Sequence, residues 1–87
     1  MTPPSSILFK NILYMPQKPQ SLCKFGQAVK RHRLSLEMSQ EEFAVKVGLH
    51  RTYIGAIERG EQNVTLITLI HLAKGLKLKV IDLCEEL

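Results

Sequence analysis

The chain has little of what would equip a short protein as an enzyme, a secreted scaffold or a membrane anchor. Its 87 residues include two cysteines, five glycines, four prolines and no tryptophan. Cys23 and Cys84 form no CxxC pair and have no histidine at ligand spacing, so neither a disulfide framework nor a metal site is indicated. Two idle thiols in a reducing compartment are the expectation. No nucleophile and base pair, phosphate loop or metal cluster is evident, so the chain reads as a non-enzyme without cofactor or small-molecule substrate. No apolar run reaches the roughly eighteen residues of a membrane span. Residues 7–15, ILFKNILYM, are apolar but broken by Lys10 and Asn11, and they lead into Pro16 and Pro19 rather than a cleavage site. They do not read as a signal peptide, and a soluble, cytoplasmic protein without membrane contact is expected.

Acidic residues are also missing, but only from one end. Residues 1–36 carry Lys10, Lys18, Lys24, Lys30, Arg31 and Arg33 and no acid, a balance of +6; residues 37–87 carry six basic and eight acidic groups, a balance of −2. The sum is the net +4 of the whole chain. A one-sided positive field favours a polyanion such as nucleic acid, although alone it discriminates only modestly.

What is present is the composition of one folded domain, 45% hydrophobic and 23% charged. Residues 1–23 read as an N-terminal arm, since MTPPSS and MPQKPQS bar a continuous helix; Met15 could serve as the translation start. Residues 24–87 read as a helical domain, with no alternating stretch long enough for a strand.

The first helix is expected over about residues 24–36, with Phe25, Val29, His32 and Leu36 on one buried face and Gln27, Lys30 and Arg31 opposite. His32 on that stripe reads as core. Ser39 opens a second helix with a capping box to Glu42. Phe43, Ala44 and Val47 mark its buried face, and Gly48 reverses the chain in the left-handed conformation that glycine adopts without steric cost. Leu49 fills the corner, and a third helix starts at His50 or Arg51, with Ile54 and Ile57 inward. Small Ala44, Gly48 four residues later, then Leu49, Ile54 and Ile57 meet in order the requirements of two short helices crossing closely, a helix-turn-helix. The outer face of the third helix is expected to hold Arg51, Thr52 and Gly55, with Tyr53 and Ala56 at its edge.

A fourth helix over about residues 65–76 directs Leu66, Leu69, Leu72, Ala73 and Leu76 to the core and leaves Ile67 and Ile70 on another side. Such an apolar excess seeks a cover, either a second copy or the apolar arm. A last helix over about residues 79–87 offers Val80 and Leu83 to the core and Ile81, Cys84 and Leu87 to a symmetric contact, so a homodimer through the C-terminal helices is expected.

The stretch SQEEFAVKVGLHRTYIGAIERGEQNVTL, followed by LIHLAKGLKL, resembles the Xre and phage-repressor type of helix-turn-helix domain over about residues 25–83. Within that group RTYIGAIERGEQN is most similar to the controller proteins of restriction-modification operons. The resemblance implies an all-α fold, a compact five-helix lambda-repressor-like bundle whose third helix enters the major groove of double-stranded DNA, presented twice by a homodimer. It implies a sequence-specific transcriptional regulator acting on a pseudo-palindromic operator.

On those positions Arg51 is the candidate for bidentate readout of guanine, Thr52 for a thymine methyl or an adjacent base or phosphate, and Tyr53, grouped with them at the bases, for a phosphate or sugar contact. Gln40, at the start of the second helix, would meet the DNA backbone with its amide and the free N–H groups there. Gln62 and Asn63 fall in the loop that in this family runs beside the phosphates; many relatives carry a basic residue about there, so Gln62 implies a weaker salt dependence than is usual in the family. Arg33 and Glu58 match a pair that in many relatives forms a buried or half-buried ion pair. His50 departs from the usual Ser, Thr or Asp and is expected to cap poorly, or to meet a phosphate. Two other functions use the same domain: an antitoxin that autoregulates its promoter while another segment holds a toxin, and an interaction module that binds no DNA.

Overall fold

The computed structural model describes residues 19–87, and its described residues form five α-helices and no strand. They are α1 (Gln20–Ser35), α2 (Gln40–Val47), α3 (Arg51–Glu58), α4 (Leu66–Gly75) and α5 (Val80–Cys84). The segment 7–15 and Met15 lie outside the described residues.

The first helix begins four residues earlier than the sequence pattern implies. Pro19 cannot sit inside the helix, but it needs no amide hydrogen to precede one, and its carbonyl accepts from Leu22 and Cys23 at 3.1 and 3.2 Å. The buried stripe of α1 is Phe25, Gly26, Ala28, Val29 and Arg33. His32 is therefore one position off the stripe and only half buried, outside the core to which it was assigned. The place it was expected to fill belongs to Arg33.

Ser39 and Glu42 close the expected capping box: the Glu42 N–H donates to Ser39 Oγ at 3.0 Å and the Ser39 N–H to Glu42 Oε1 at 2.8 Å. The Ser39 amide, and then its hydroxyl, hold the Glu42 carboxyl below its ordinary range. Gly48 ends α2 at φ 73°, ψ 30°, and donates back to Val45 O while the Leu49 N–H reaches Ala44 O at 2.9 Å. That tight exit brings α3 across α2 after only three residues.

The core joins all five helices: Phe25, Ala28 and Val29 from α1, Phe43, Ala44 and Val47 from α2, Ile54 and Ile57 from α3, Leu72 and Ala73 from α4 with Leu76 after it, and Leu83 from α5. Helix α3 packs against both α1 and α2, α4 against α2, and α5 against α1 and α4. At the α1–α3 crossing Gly26 is required for space. A Cβ there would lie 2.3 Å from the carbonyl oxygen of Ile57 and 2.6 Å from that of Glu58.

Two C-terminal expectations are corrected. Leu66 is 67% exposed rather than in the core, because the stripe packed inward is Leu69, Leu72, Ala73 and Leu76, and Leu66 extends it past the packed part of the bundle. The last helix is regular only over Val80–Cys84, with Lys79 at its N-cap, where Asp82 accepts from the Lys79 N–H at 3.1 Å.

Candidate nucleic-acid interface

Helix α3 is buried along most of its length and open at its first turn. Ile54, Gly55, Ala56, Ile57 and Glu58 are all buried, Tyr53 is half buried against the core, and Arg51 and Thr52 are exposed. Gly55 and Ala56 are thus not on an outer face, contrary to the sequence expectation. Gly55 lies beneath side chains from elsewhere: the position of its absent Cβ is 3.1 Å from Arg59 Nη1 and 3.6 Å from Gln40 Oε1. A helical-wheel argument places Gly55 near the solvent side, but only the crossing of α2 puts Gln40 on top of it.

The open turn carries its own cap. His50, extended at φ −77°, ψ 144°, accepts the Thr52 N–H on Nδ1 at 3.1 Å. Where a poor cap is expected, His50 thus supplies one: its ring nitrogen, three bonds from Cα like the carboxylate oxygen of aspartate, takes the place of a hydroxyl or carboxylate oxygen. That geometry requires the tautomer with its proton on Nε2, which leaves an N–H pointing away from the capped amide. Changing His50 to alanine is expected to destabilise the fold by about 0.5 to 1 kcal/mol, and changing it to serine to cost less. Urea unfolding followed by helical circular dichroism checks this.

Behind the turn stands one polar cluster that ties three helices together. Arg33 of α1 donates from Nε to Glu58 Oε2 at 2.6 Å and from Nη2 to Glu58 Oε1 at 3.0 Å, with side-chain exposures of 6% and 3%. Its Nη1 donates to Met38 O at 2.7 Å. Gln40 of α2 completes the cluster, donating from Nε2 to Glu58 Oε1 at 2.9 Å. The ion pair implied for Arg33 and Glu58 is present and buried. Among the described residues no buried side-chain nitrogen or oxygen lacks a partner.

The same cluster corrects the geometry expected at Gln40, whose amide turns inward to Glu58 instead of outward. At its start α2 presents outward the side chains of Glu41 and Glu42 and open backbone. The Glu42 and Phe43 N–H groups are taken by Ser39, which leaves those of Gln40 and Glu41 as the open donors of the first turn. Asn63 is exposed and Gln62 half buried in the loop between α3 and α4.

Arg59, to which the sequence reading gave no role, belongs to this neighbourhood. It lies one turn after Gly55 and two after Arg51, and its guanidinium passes over Gly55 while Nε and Nη2 donate to the two carboxylate oxygens of Glu61 at 3.1 and 3.2 Å. The Glu61 hydrogen bond and charge raise its already high pKa, so the arginine is charged at any working pH. The four-residue spacing from Gly55 was the available signal.

The expected dimer residues are divided by the structure. Ile81 is 69% exposed, whereas Cys84 is half buried and, with Leu87, lines a groove beside the start of α1. Among the described residues no group of His, Cys, Asp and Glu is placed to hold a metal, and no helix is long and apolar enough to cross a membrane.

The helix-turn-helix family pattern matches residues 29–83. The control protein C.SmaI of Serratia marcescens is 56% identical over 55 residues, which span 63% of this chain and 66% of that one. The crystal structure of the restriction-modification controller protein C.AhdI from Aeromonas hydrophila superposes with a TM-score of 0.73 at 38% identity, covering 75% of this chain and 98% of that one. The restriction-modification controller protein C.Esp1396I, solved as a tetramer in complex with its natural 35 base-pair operator, matches with a TM-score of 0.69 at 38% identity, covering 76% and 87% of the two chains.

Proposed function

The chain belongs to the helix-turn-helix family, among its restriction-modification controller proteins, and from that membership we propose that it is a sequence-specific, DNA-binding transcriptional regulator that binds a pseudo-palindromic operator as a homodimer. The carrying observation is the first turn of α3, a slim and capped helix start on which only Arg51 and Thr52 are fully exposed. A helix whose sides are buried can enter a major groove only by its free end, and there the side chains at the N-terminal turn meet base edges.

In this reading Arg51 engages guanine O6 and N7 together, Thr52 reaches a thymine methyl or an adjacent base, and Tyr53, held half buried, is fixed at the rim of the contact. Phosphates meet the open N–H groups of Gln40 and Glu41 on α2, the outward N–H of His50, and the amides of Gln62 and Asn63. Arg33 and Glu58 take no part in contacting DNA; they hold α2 and α3 at the angle that presents both helix starts together. Two copies related by a twofold axis place two such turns about 34 Å apart. Their contact uses the apolar residues Ile81, Cys84 and Leu87, and the protein works in the cytoplasm without cofactor or catalytic role.

Binding to a panel of operator duplexes at one fixed salt concentration tests the assignment. Arg51→Ala is expected to weaken the best duplex by about 1 to 3 kcal/mol and to flatten the preference at a single base pair. Discrimination that stays unchanged in this variant removes Arg51 from base readout.

A further inference from the structure

One turn behind its open start, α3 shows solvent a guanidinium where its own backbone would otherwise lie. Arg51, Gly55 and Arg59 are spaced by four and four residues, so they follow one another along one face of the helix. Gly55 is nevertheless buried, and the Arg59 side chain, itself 57% exposed, lies over it. Arg59 Nη1 sits 3.1 Å from the place a Gly55 Cβ would take, and Gln40 Oε1 sits 3.6 Å from the same point. The guanidinium therefore turns back along α3 instead of extending from its end. The Cα atoms of Arg51 and Arg59 are about 12 Å apart along the axis, but the position over Gly55 is only about 6 Å from Arg51.

Glu61 sets that direction. Arg59 donates from Nε to Glu61 Oε2 at 3.1 Å and from Nη2 to Glu61 Oε1 at 3.2 Å, a paired contact that fixes the plane of the group as well as its place. A surface ion pair of this kind adds little to stability, and its main consequence is orientation. The carboxylate takes the Nε–Nη2 edge; a different edge, Nη1 with Nη2, has the spacing that matches guanine O6 and N7. The negative charge of Glu61 also offsets that of Arg59, which weakens attraction to phosphates in general and makes the contact depend on the base. Glycine is a poor helix former, and at position 55 the missing Cβ is what lets the guanidinium lie against the helix.

Successive base pairs rise about 3.4 Å, so two arginine heads about 6 Å apart span about two steps. We propose that Arg59 is a second base-reading residue, aimed by Glu61 across Gly55 so that it meets a guanine about two steps from the one met by Arg51. The inference rests on the operator-binding reading of α3 and extends it from the first turn to the second. Glu61 and Gly55 act through Arg59, as positioning residues.

Competitive binding to single-base-pair variants of the preferred duplex, at one fixed salt concentration, tests the proposal, with each protein's melting temperature measured alongside. Arg59→Lys keeps the charge and loses the planar fork. It is expected to lose about ten- to a hundredfold of discrimination at one base pair, distinct from the pair that Arg51→Ala flattens, while binding to unrelated duplexes stays nearly unchanged. Gly55→Ala adds a Cβ to which the tip of Arg59 must yield, so this variant is expected to melt no lower than the parent and yet to blunt the preference at the Arg59 base pair. Glu61→Gln is expected to strengthen binding to unrelated duplexes while weakening discrimination at that same pair. If Arg59 and Glu61 only brace the loop, their variants will shift melting and weaken all duplexes alike, and that result overturns the proposal. Should Arg51→Ala flatten its own base pair while the Arg59, Gly55 and Glu61 variants keep every preference of the parent, base reading by Arg59 is refuted and the operator reading stands. A parent protein that prefers no duplex overturns both.

Discussion

Replacing Glu58 with alanine is expected to destabilise the protein by about 3 to 5 kcal/mol, because it leaves the Arg33 guanidinium buried without its counter-charge. Domains of this size are stable by only about 5 to 10 kcal/mol, so the variant should lose about a third or more of its stability and melt about 12 to 40 °C lower. The loss is greater than that of the ion pair alone. The Gln40 amide would also lose its acceptor, and the tie between α2 and α3 would go with it. Urea unfolding of Glu58→Ala and of the double variant Arg33→Met with Glu58→Leu separates these contributions. The double variant should recover most of the stability, since two apolar side chains avoid the stranded charge, but not all, since Met38 O and Gln40 Nε2 remain unpartnered. A single variant as stable as the parent would mean that the pair contributes nothing to the fold.

The second large effect is expected at Gly26. Its absent Cβ would sit 2.3 Å and 2.6 Å from two successive backbone carbonyl oxygens of α3, those of Ile57 and Glu58. Backbone oxygens cannot rotate away as a side chain can, so Gly26→Ala must part α1 from α3. The cost should lie at or above the upper end of the 1 to 3 kcal/mol typical of overpacking, and Gly26→Val should exceed it. The direction of the displacement matters for function, because α3 carries the exposed Arg51 turn. Operator affinity measured at a temperature where the variant remains folded should therefore fall, while Arg51 itself is unchanged. A variant that melts normally and binds normally would show that the crossing has slack.

These two sites were not equally legible. Arg33 and Glu58 came to attention only through the family resemblance, since nothing in the periodicity of either helix marks an arginine and a glutamate 25 residues apart as partners. Gly26 carries no local signal: a glycine in the first half of an amphipathic helix is marked only by the second backbone pressed against it.

Local chemistry, by contrast, was readable along the chain. The Ser39 and Glu42 capping box, the left-handed Gly48, the inward Ile54 and Ile57 and the start of α3 depend on residues within a few positions of one another, and interactions of that range are written into sequence spacing. Expectations give way where a neighbouring element or an unusual side chain intervenes. Gly55 faces outward on an isolated helix and is covered by Arg59 and by Gln40 of α2; Leu66 continues an apolar stripe and is exposed because the bundle ends short of it; His50, a local case, lacks the usual capping oxygen, yet its ring nitrogen reaches the amide.

The sequence by itself thus determined the five helices, the sharp corner and which end of α3 is polar, because caps, turns and apolar periodicity act over one or two helical turns. Only the tertiary structure decided which outward positions remain open, which charges are buried together and which side chains lie across Gly55. Those depend on crossing distances between helices, and no spacing along one strand of sequence records how closely two backbones approach.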